Sequence, residues 1–347
     1  MKNPTMQICN ETIYPGESLS LAMPLPGLFS CAPLYMPIKV VHGKQAGPCL
    51  LVTAAMHGDA LNGTEIVNRL LKIKALKKLQ GTLIAIPVLN VYGLINRSRY
   101  LPGGFDLDNC FPGTETGSHA ARMAHLFTSK IFDKADVCLD LQTGFINYTN
   151  LPQVYVNFHD EQSKDLAKIF NAPVMSNTVC EEGMLRTLAY QQGKSFLLYE
   201  AGEAMRFDEH AIKVGVRGIL NIMRKLEMLP DNSSKKKTTP LESFFTEKNI
   251  WIRASTSGVS HTKHKLGQYV KKGEILCTIN DPFGATASVT ITSPEEAIIV
   301  SKNNLPLVHE GEALFQLAVF PKMQHAAAHL EDWKEKSNEN FQATPVE

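Results

Sequence analysis

The stretch LVTAAMHGDALNGTEIVNRL, residues 51–70, places two chemically active side chains between an apolar run and a helical pattern. His57 and Asp59 lie in the short segment that joins the two. An imidazole and a carboxylate at such a junction can hold a divalent metal ion or transfer protons. Metal-dependent hydrolases often build their sites in this way, so the stretch predicts either an enzymatic site or one that has been lost.

Polar side chains also follow three later apolar runs. They are, in chain order, Asn90, Asn96, Arg97 and Arg99, then Asp140 and Gln142, and then Glu200 and Glu203. In open α/β sheets, ligands bind outside the carboxyl ends of the strands. These side chains are far apart in sequence, and we expect them to converge on one rim of a sheet.

The apolar runs ahead of these residues have the length and composition of β-strands. They cover 49–55, 82–88, 137–142, 153–158 and 195–200. Apolar residues with helical spacing lie at 66–73, 118–132, 161–170 and 208–227. Strands that alternate with helices predict an α/β domain with a mostly parallel sheet.

The chain changes character after the last of these helices. Residues 229–240, LPDNSSKKKTTP, are polar, basic and bounded by proline, which indicates a linker or an exposed loop. From Trp251 onward, short apolar runs alternate with turn-forming residues, which predicts a small all-β module. The predicted division is an N-terminal segment at 1–44 that packs on the core, an α/β domain at 45–230, a linker at 231–250, a β-barrel module at 251–320 and a tail at 321–347 that forms a surface helix and frays.

Composition restricts the class of protein. The 347 residues suggest two or three domains, and the formal charge of +1 gives no electrostatic reason to expect nucleic acid or an anionic membrane as a partner. The N-terminus has no apolar signal-peptide core, and no apolar run is long enough to span a membrane. Seven widely spaced cysteines without a C-x-x-C pair favour reduced thiols and a cytoplasmic location.

Five segments together resemble one enzyme family. They are MHGDALNG (56–63), NRSRYLP (96–102), DLDNCFPG (106–113), DLQTG (140–144) and YEAGE (199–203). These segments are similar to those of the succinylglutamate desuccinylase and aspartoacylase family, and the resemblance extends over about residues 45–318. It implies a zinc-carboxypeptidase-like fold, in which a mixed and mostly parallel sheet is flanked by helices, followed by a small β-barrel.

The resemblance also implies a reaction. Family members hydrolyse the amide bond of N-acyl amino acids with a zinc-bound water. The metal is held by a His and a Glu in an H-G-x-E pattern and by a His in a D-L-H-T-G pattern. A Glu in the Y-E-A-G-like segment is the general base, and arginines hold the oxyanion and the substrate carboxylate. A small N-acyl amino acid or a related carboxylate is therefore the expected partner.

The metal and substrate positions are altered in this chain. His57 matches the first metal ligand, but Ala60 stands at the Glu position and Gln142 at the second His position. Asp108 and Asn109 take the place of an Asn-Arg pair that grips substrate carboxylate. A neutral amide oxygen is a poor zinc ligand beside imidazole or carboxylate, and an alanine has no donor atom.

Two hypotheses follow from these substitutions. The favoured one is a catalytically impaired family member that binds a ligand or regulates a partner. The alternative is an active metal-dependent amide hydrolase in which His57, Asp59 and Gln142 hold the metal, with Glu200 and Arg99 as catalytic residues.

Three further points stay open at the level of sequence. Glu200 is either a base left from the ancestral reaction or, as we favour, the ion-pair partner of Arg99. Arg97 and Arg99, with Asn96, Asp108 and Asn109 around them, either bind a carboxylate ligand or neutralise nearby acids. A homo-oligomer is possible.

The C-terminal module has one further resemblance. GQYVKKGEIL (267–276) is similar to the turn of a lipoyl-type domain, in which a modified lysine occupies a tight hairpin. The matching hairpin TSPEEAII (292–299) contains no lysine, so we expect no lipoyl or biotinyl attachment.

Overall fold

A computed structural model describes residues 1–29, 33–230 and 244–342 of the chain. The strands are β1 (Met6–Ile8), β2 (Glu11–Ile13), β3 (Ser18–Pro24), β4 (Tyr35–His42), β5 (Gln45–Ala54), β6 (Gln80–Ile86), β7 (Val137–Gly144), β8 (Tyr148–Val156), β9 (Val174–Asn177), β10 (Ser195–Glu203), β11 (Phe244–Phe245), β12 (Lys248–Arg253), β13 (Gly258–His261), β14 (Tyr269–Val270), β15 (Ile275–Asn280), β16 (Val289–Thr292), β17 (Ala297–Asn303), β18 (Leu307–Val308) and β19 (Ala313–Val319). The α-helices are α1 (Leu61–Leu70), α2 (Val91–Asn96), α3 (His119–Lys130), α4 (Glu161–Phe170), α5 (Leu185–Gln191), α6 (Glu209–Lys225) and α7 (Met323–Gln342).

The centre of the fold is a sheet whose four middle strands run parallel in the order β10-β7-β5-β6. Strands β7 and β10 are buried along nearly their whole length, because helices cover both faces of the sheet. Helices α1, α4 and α6 pack on one face, and α3 and α5 pack on the other. This arrangement confirms the α/β prediction for the middle of the chain.

The complete sheet is mixed, so the prediction of a mostly parallel sheet holds only for its centre. Strands β4 and β3 extend it antiparallel beyond β6, and β8 extends it antiparallel beyond β10. The N-terminal segment thus joins the core through β4, and its Ile8, Ile13 and Met36 are fully buried. The predicted N-terminal segment, 1–44, thus contributes β3 and β4 to the sheet.

Local sequence features explain where the helices begin. Ser118 caps α3 by accepting a hydrogen bond from the amide of Ala121, and Asp208 caps α6 by accepting one from the amide of Ala211. Helix α4 occupies the predicted residues, with Asp160 as its N-cap. The apolar faces of these helices then supply most of their stability by packing on the sheet.

The C-terminal strands are hydrogen-bonded to the central sheet. Strand β17 pairs with β8 through Ser301↔Asn150, Lys302↔Thr149 and Asn303↔Tyr148, and β19 and β12 continue the sheet outward. A second sheet of four strands, in the order β16-β15-β13-β18, packs against these strands around its own apolar cluster. The predicted all-β module is therefore a two-sheet structure, and one of its sheets is an extension of the α/β sheet.

Two predictions at the C-terminal end are corrected by the structure. The predicted linker at 231–250 contains β11 and the beginning of β12, because Phe245 and its neighbours pair with β9; residues 231–243 lie outside the described part. Helix α7 is not a surface helix alone, since Ala326, Leu330 and Trp333 are buried in the main core. Within the described residues, no helix has both the length and the apolar character that crossing a membrane requires.

Candidate functional site

The carboxyl ends of the four parallel strands carry the predicted polar side chains. His57 follows β5 in a loop whose backbone is tied to the end of β6, because Leu89 and Asn90 donate their amides to the carbonyls of Ala54 and Ala55 at 2.8 Å each. The His57 side chain is almost completely buried. The loop therefore holds the imidazole in one place, beneath the residues that follow α2.

At Gly58 this loop packs directly against the backbone of Gly93 and Leu94, so a larger residue at this position is expected to lower stability. A β-carbon at Gly58 would lie 2.0 Å from the carbonyl carbon of Gly93 and 2.2 Å from the amide nitrogen of Leu94, both backbone atoms that cannot turn aside. We expect Gly58→Ala to lower the free energy of unfolding by about 2–3 kcal/mol. Urea denaturation measures this, with Gly27→Ala as the matched control, because nothing lies within 4 Å of a β-carbon there. Equal stabilities of the two variants would contradict the described contact.

His57 is held by a network that links it to Asp106 and, through Asp106, to Arg99. Its Nε2 lies 2.9 Å from Oδ1 of Asp106, and the other carboxylate oxygen of Asp106 accepts a 3.4 Å hydrogen bond from Arg99. The Arg99 guanidinium stacks on the ring of Phe145 at 4.2 Å. Burial alone would raise the pKa of Asp106, but the hydrogen bond from His57 and the charges of His57 and Arg99 hold it at about 2. Asp106 is therefore an ionised carboxylate that orients both His57 and Arg99.

Asp140 and Gln142 lie two residues apart within β7, and their side chains contact each other. Gln142 donates its side-chain amide to Oδ2 of Asp140 at 2.6 Å, and Thr53 donates its hydroxyl to Oδ1 at 2.7 Å. Burial of the Asp140 carboxyl raises its pKa to about 6, and the hydrogen bond from Thr53 offsets part of this effect. Gln142 thus acts as a hydrogen-bond donor to an acid.

Glu200 lies near the carboxyl end of β10, opposite Gln153 of β8. Its carboxylate accepts a short hydrogen bond from the side-chain amide of Asn150. Burial raises the pKa of Glu200 to about 7, although the charges of Arg99 and Arg186 act in the other direction. The predicted Arg99–Glu200 ion pair is wrong, since Arg99 makes its ion pair with Asp106 instead.

The raised pKa of Glu200 predicts a pH dependence of stability. A carboxyl whose folded pKa lies above its unfolded value stabilises the fold below about pH 4.5, and this contribution is lost as the pH rises through about 7. Glu200→Gln keeps an acceptor for Asn150 but does not ionise. We expect the variant to gain stability relative to wild type between pH 4.5 and 7, by about 3 kcal/mol, and the difference to level off above pH 7. Urea denaturation across this range measures the difference; a pH-independent difference would contradict the shift.

Arg186 is a site residue that the sequence analysis did not identify. It lies on α5, and its guanidinium contacts Oδ2 of Asp108 at 3.2 Å, with both side chains largely buried. Burial raises the pKa of Asp108, and the Arg186 charge limits the rise. No local pattern around Arg186 marks it, because its partner is 78 residues away in the chain. Asp108 is therefore paired with a cation that could not be identified from the spacing of residues in the sequence.

Three predicted substrate-binding residues lie away from this network. Asn96, Arg97 and Asn109 are exposed, and in the described part of the chain their side chains make no hydrogen bond or ion pair with the buried acids. Arg99 alone of the two predicted arginines therefore neutralises an acid. Glu203 turns towards the C-terminal strands, where it accepts hydrogen bonds from Thr149 and Asn304.

The residues at the three metal positions do not fit a zinc ion. His57 alone is suitable, because its Nδ1 is buried without a hydrogen-bond partner while Nε2 is held by a carboxylate, as in many zinc sites. Ala60 presents a buried methyl group, and Gln142 directs its amide N–H to Asp140. Among the described residues, no three His, Cys, Asp or Glu side chains converge as a metal site would require. Asp59 therefore does not belong to such a group either. Three protein ligands are usual at a catalytic zinc, and one is present.

Comparisons with known proteins agree on the kind of fold. The sequence profile of the succinylglutamate desuccinylase/aspartoacylase catalytic domain matches residues 46–226. An N-alpha-acetyl-L-2,4-diaminobutyric acid deacetylase of Halomonas elongata is 23% identical over 292 residues, which cover 82% of this chain and 85% of the relative.

Two solved structures show the same architecture over nearly their full length. One is a succinylglutamate desuccinylase/aspartoacylase from Rhodobacter sphaeroides, with a TM-score of 0.79, 21% identity, and coverage of 88% of this chain and 96% of that one. The other is the product-bound ectoine utilization protein EutE (DoeB) from Ruegeria pomeroyi, with a TM-score of 0.78, 20% identity, and coverage of 92% and 100%. At these identities the similarity establishes the fold, including the C-terminal strands.

Proposed function

Because this chain belongs to the succinylglutamate desuccinylase/aspartoacylase family, we propose that its cleft binds a small N-acylated amino acid or a similar N-acyl compound without zinc-dependent hydrolysis. The observation that carries this proposal is the donor set at positions 57, 60 and 142. Only His57 among them offers a zinc ligand, while Ala60 has no donor atom and Gln142 is engaged with Asp140. A metal that is not held cannot lower the pKa of a bound water or polarise an amide carbonyl.

The rest of the cleft supports a role in binding. Asp106 keeps His57 and Arg99 in fixed positions, and Asn150 keeps Glu200 in place. A site built from groups that hold one another is suited to recognising a ligand, since little ordering is needed when the ligand enters. The relative from Halomonas elongata is named for an N-acetylated diamino acid, and this compound is a reasonable first probe.

The test combines metal analysis with binding. The chain is purified without a metal-binding tag, and its zinc content is measured by elemental analysis after addition of equimolar zinc and gel filtration. We expect far less than the one zinc per chain that is usual for catalytic members of such families. Calorimetric titration with Nα-acetyl-L-2,4-diaminobutyrate is expected to give saturable binding, and release of acetate is expected to stay at the background rate.

The opposite outcome would support the alternative hypothesis of an altered but active metal site. Its signature is about one zinc per chain together with release of acetate that is lost in Glu200→Gln. Glu200 is the acid at the family's general-base position, so this variant tests whether the turnover comes from the cleft. A folded protein with neither zinc nor ligand binding would contradict the proposed function itself.

A further inference from the structure

Glu203 is a largely buried acid that the proposed function does not use. Its side chain is 11% exposed, and its carboxylate accepts four hydrogen bonds. The donors are the amide of Asn147 at 3.2 Å, the hydroxyl of Thr149 at 3.1 Å, the side-chain amide of Asn304 at 2.9 Å and Nε of Arg206 at 3.2 Å. A carboxylate with this many donors is a fixed point for the segments that supply them.

Two of the bound segments meet at one short stretch of chain, residues 147–149. Asn304, which follows β17, donates its backbone amide to the carbonyl of Asn147 at 2.7 Å and its side-chain amide to the hydroxyl of Thr149. The start of β8 is also paired with β17 here. Glu203 and Asn304 therefore hold the same three residues, one from the end of β10 and the other from the C-terminal strands.

This stretch forms the second half of a tight turn between β7 and β8. The carbonyl of Phe145 accepts a hydrogen bond from the amide of Tyr148 at 3.0 Å. Asn147 has φ 66, a left-handed conformation that asparagine adopts more readily than most residues. The side chains of Phe145 and Ile146 are exposed, so burial in the core does not hold the turn. Its position therefore depends on β7 at one end and on the hydrogen bonds of 147–149 at the other.

The turn contacts the cleft through Phe145. The ring centre of Phe145 lies 4.2 Å from the guanidinium carbon of Arg99. The ion pair of Arg99 with Asp106 is long, at 3.4 Å, so the aromatic ring adds a second contact that orients the guanidinium. A turn that moved away would uncover Arg99 and leave its guanidinium freer to reorient.

We propose that Glu203 is a positioning residue of the cleft: by holding residues 147–149 it keeps Phe145 over Arg99, and Asn304 of the C-terminal strands completes this hold. Glu203 acts on Arg99 through the turn, since the groups that donate to its carboxylate lie in the turn, in its own loop and after β17. The inference concerns the orientation of Arg99 and does not depend on which ligand the cleft binds.

Chemical modification of arginine by phenylglyoxal tests the cover over Arg99. The full chain is treated briefly with the reagent, and modification of Arg99 and Arg69 is quantified by peptide mass spectrometry. Arg69 is the internal reference, because its side chain is 26% exposed against 19% for Arg99 and is ion-paired on α1 with Glu65 and Glu209. The ratio of Arg99 to Arg69 modification separates local uncovering from a general loosening of the fold.

The main variant is Glu203→Gln, which replaces one acceptor oxygen by an N–H group among donors. We expect the ratio to rise at least about fivefold, because the turn opens more often. Phe145→Ala removes the cover itself and is expected to raise the ratio at least as much. An unchanged ratio in either variant would overturn the inference.

Asn304→Ala provides the same test should Glu203→Gln not fold, because Asn304 is exposed and its side chain can be removed without leaving a cavity. We expect the ratio to rise at least about threefold in this variant. A ratio equal to that of wild type would show that the C-terminal strands do not hold the turn.

Arg206→Ala is the matched control. It removes the fourth donor to Glu203, whose side chain is 73% exposed, and leaves the three donors of 147–149 and 304 in place. The ratio is expected to stay at the wild-type value. A rise as large as that in Glu203→Gln would overturn the inference, since the charge balance of Glu203 rather than its hold on the turn would then be the cause.

A double variant is expected to restore the hold. Glu203→Gln combined with Asn304→Asp exchanges donor and acceptor between the two positions. The amide introduced at 203 can donate to the carboxylate at 304, its oxygen can still accept from Asn147, and the hydroxyl of Thr149 can reverse its direction. We expect the ratio to return to within about twofold of wild type. A folded double variant without this recovery would overturn the inference, because these hydrogen bonds would not be what keeps Arg99 covered.

Discussion

Zinc binding is expected to increase by at least about a hundredfold in the double variant Ala60→Glu, Gln142→His, which corresponds to about 3 kcal/mol of binding free energy. The two substitutions supply the ligands that the family pattern places beside His57. The unpartnered Nδ1 of His57 faces no competitor, and Asp140, which now accepts a hydrogen bond from Gln142, is positioned to accept one from an imidazole at 142. Competition titration with a chromophoric zinc chelator measures the affinity.

The control for this variant is Ala60→Gln, Gln142→Asn, which changes the same two positions but introduces only neutral amides. Ala60 is buried, so circular dichroism must show that each variant folds. Hydrolysis is expected to stay weak in the zinc-loaded variant, because Asp108 and Asn109 still occupy the substrate-carboxylate positions. If the double variant binds no more zinc than wild type, then positions 57, 60 and 142 do not surround one point.

The second large effect concerns the buried pair of Asp108 and Arg186. Arg186→Met is expected to lower the free energy of unfolding by about 3 kcal/mol at pH 7.5, because it leaves a carboxylate in a largely dry site without its cation. The pKa of Asp108 is already raised by burial, and loss of the arginine raises it further. Protonation then relieves the penalty, so the loss of stability is expected to shrink as the pH is lowered to 5.5. Urea denaturation at the two pH values measures both effects.

A double variant and a surface pair serve as controls. Asp108→Asn combined with Arg186→Met removes both charges, and it is expected to recover most of the stability. Lys168→Met breaks the exposed ion pair with Asp165 and is expected to have no measurable effect. A loss in Arg186→Met that is small, or that is the same at both pH values, would contradict an uncompensated carboxylate as its cause.

The central fold could be predicted from sequence because each of its strands and helices carries its own periodic pattern of apolar residues. The apolar run at 137–142 predicts a strand, and the helical spacing at 161–170 predicts a helix. Ser118, a residue type common at N-caps, lies where α3 begins. The boundaries of β8 were less predictable, since its first residues, from Tyr148, are mostly polar and are held in the sheet by pairing with the distant β17 and β10. Pairing between segments that are distant in the chain produces no periodic sequence pattern in either segment.

The site was predictable in location but not in its contacts. The rule that polar side chains gather at the carboxyl ends of parallel strands placed His57, Asp140 and Glu200 correctly on one rim. The partner of each group depends on how the loops place the side chains, and the sequence does not show this. The ion pair of Arg99 was therefore assigned to Glu200 rather than to Asp106. Arg186 was missed for the same reason: its role depends on the approach of α5 to the loop that carries Asp108.

The pairing of β17 with β8 has a consequence for any attempt to shorten this protein. A chain that ended before residue 244 would keep β9 beside 153–156 of β8, but it would leave 148–150 of β8 without β17 and the far edge of β9 without β11. An unprotected strand next to an apolar surface is a template for other chains, so such a fragment is expected to aggregate rather than to behave as a free-standing domain. The C-terminal strands are thus expected to protect the protein against self-association.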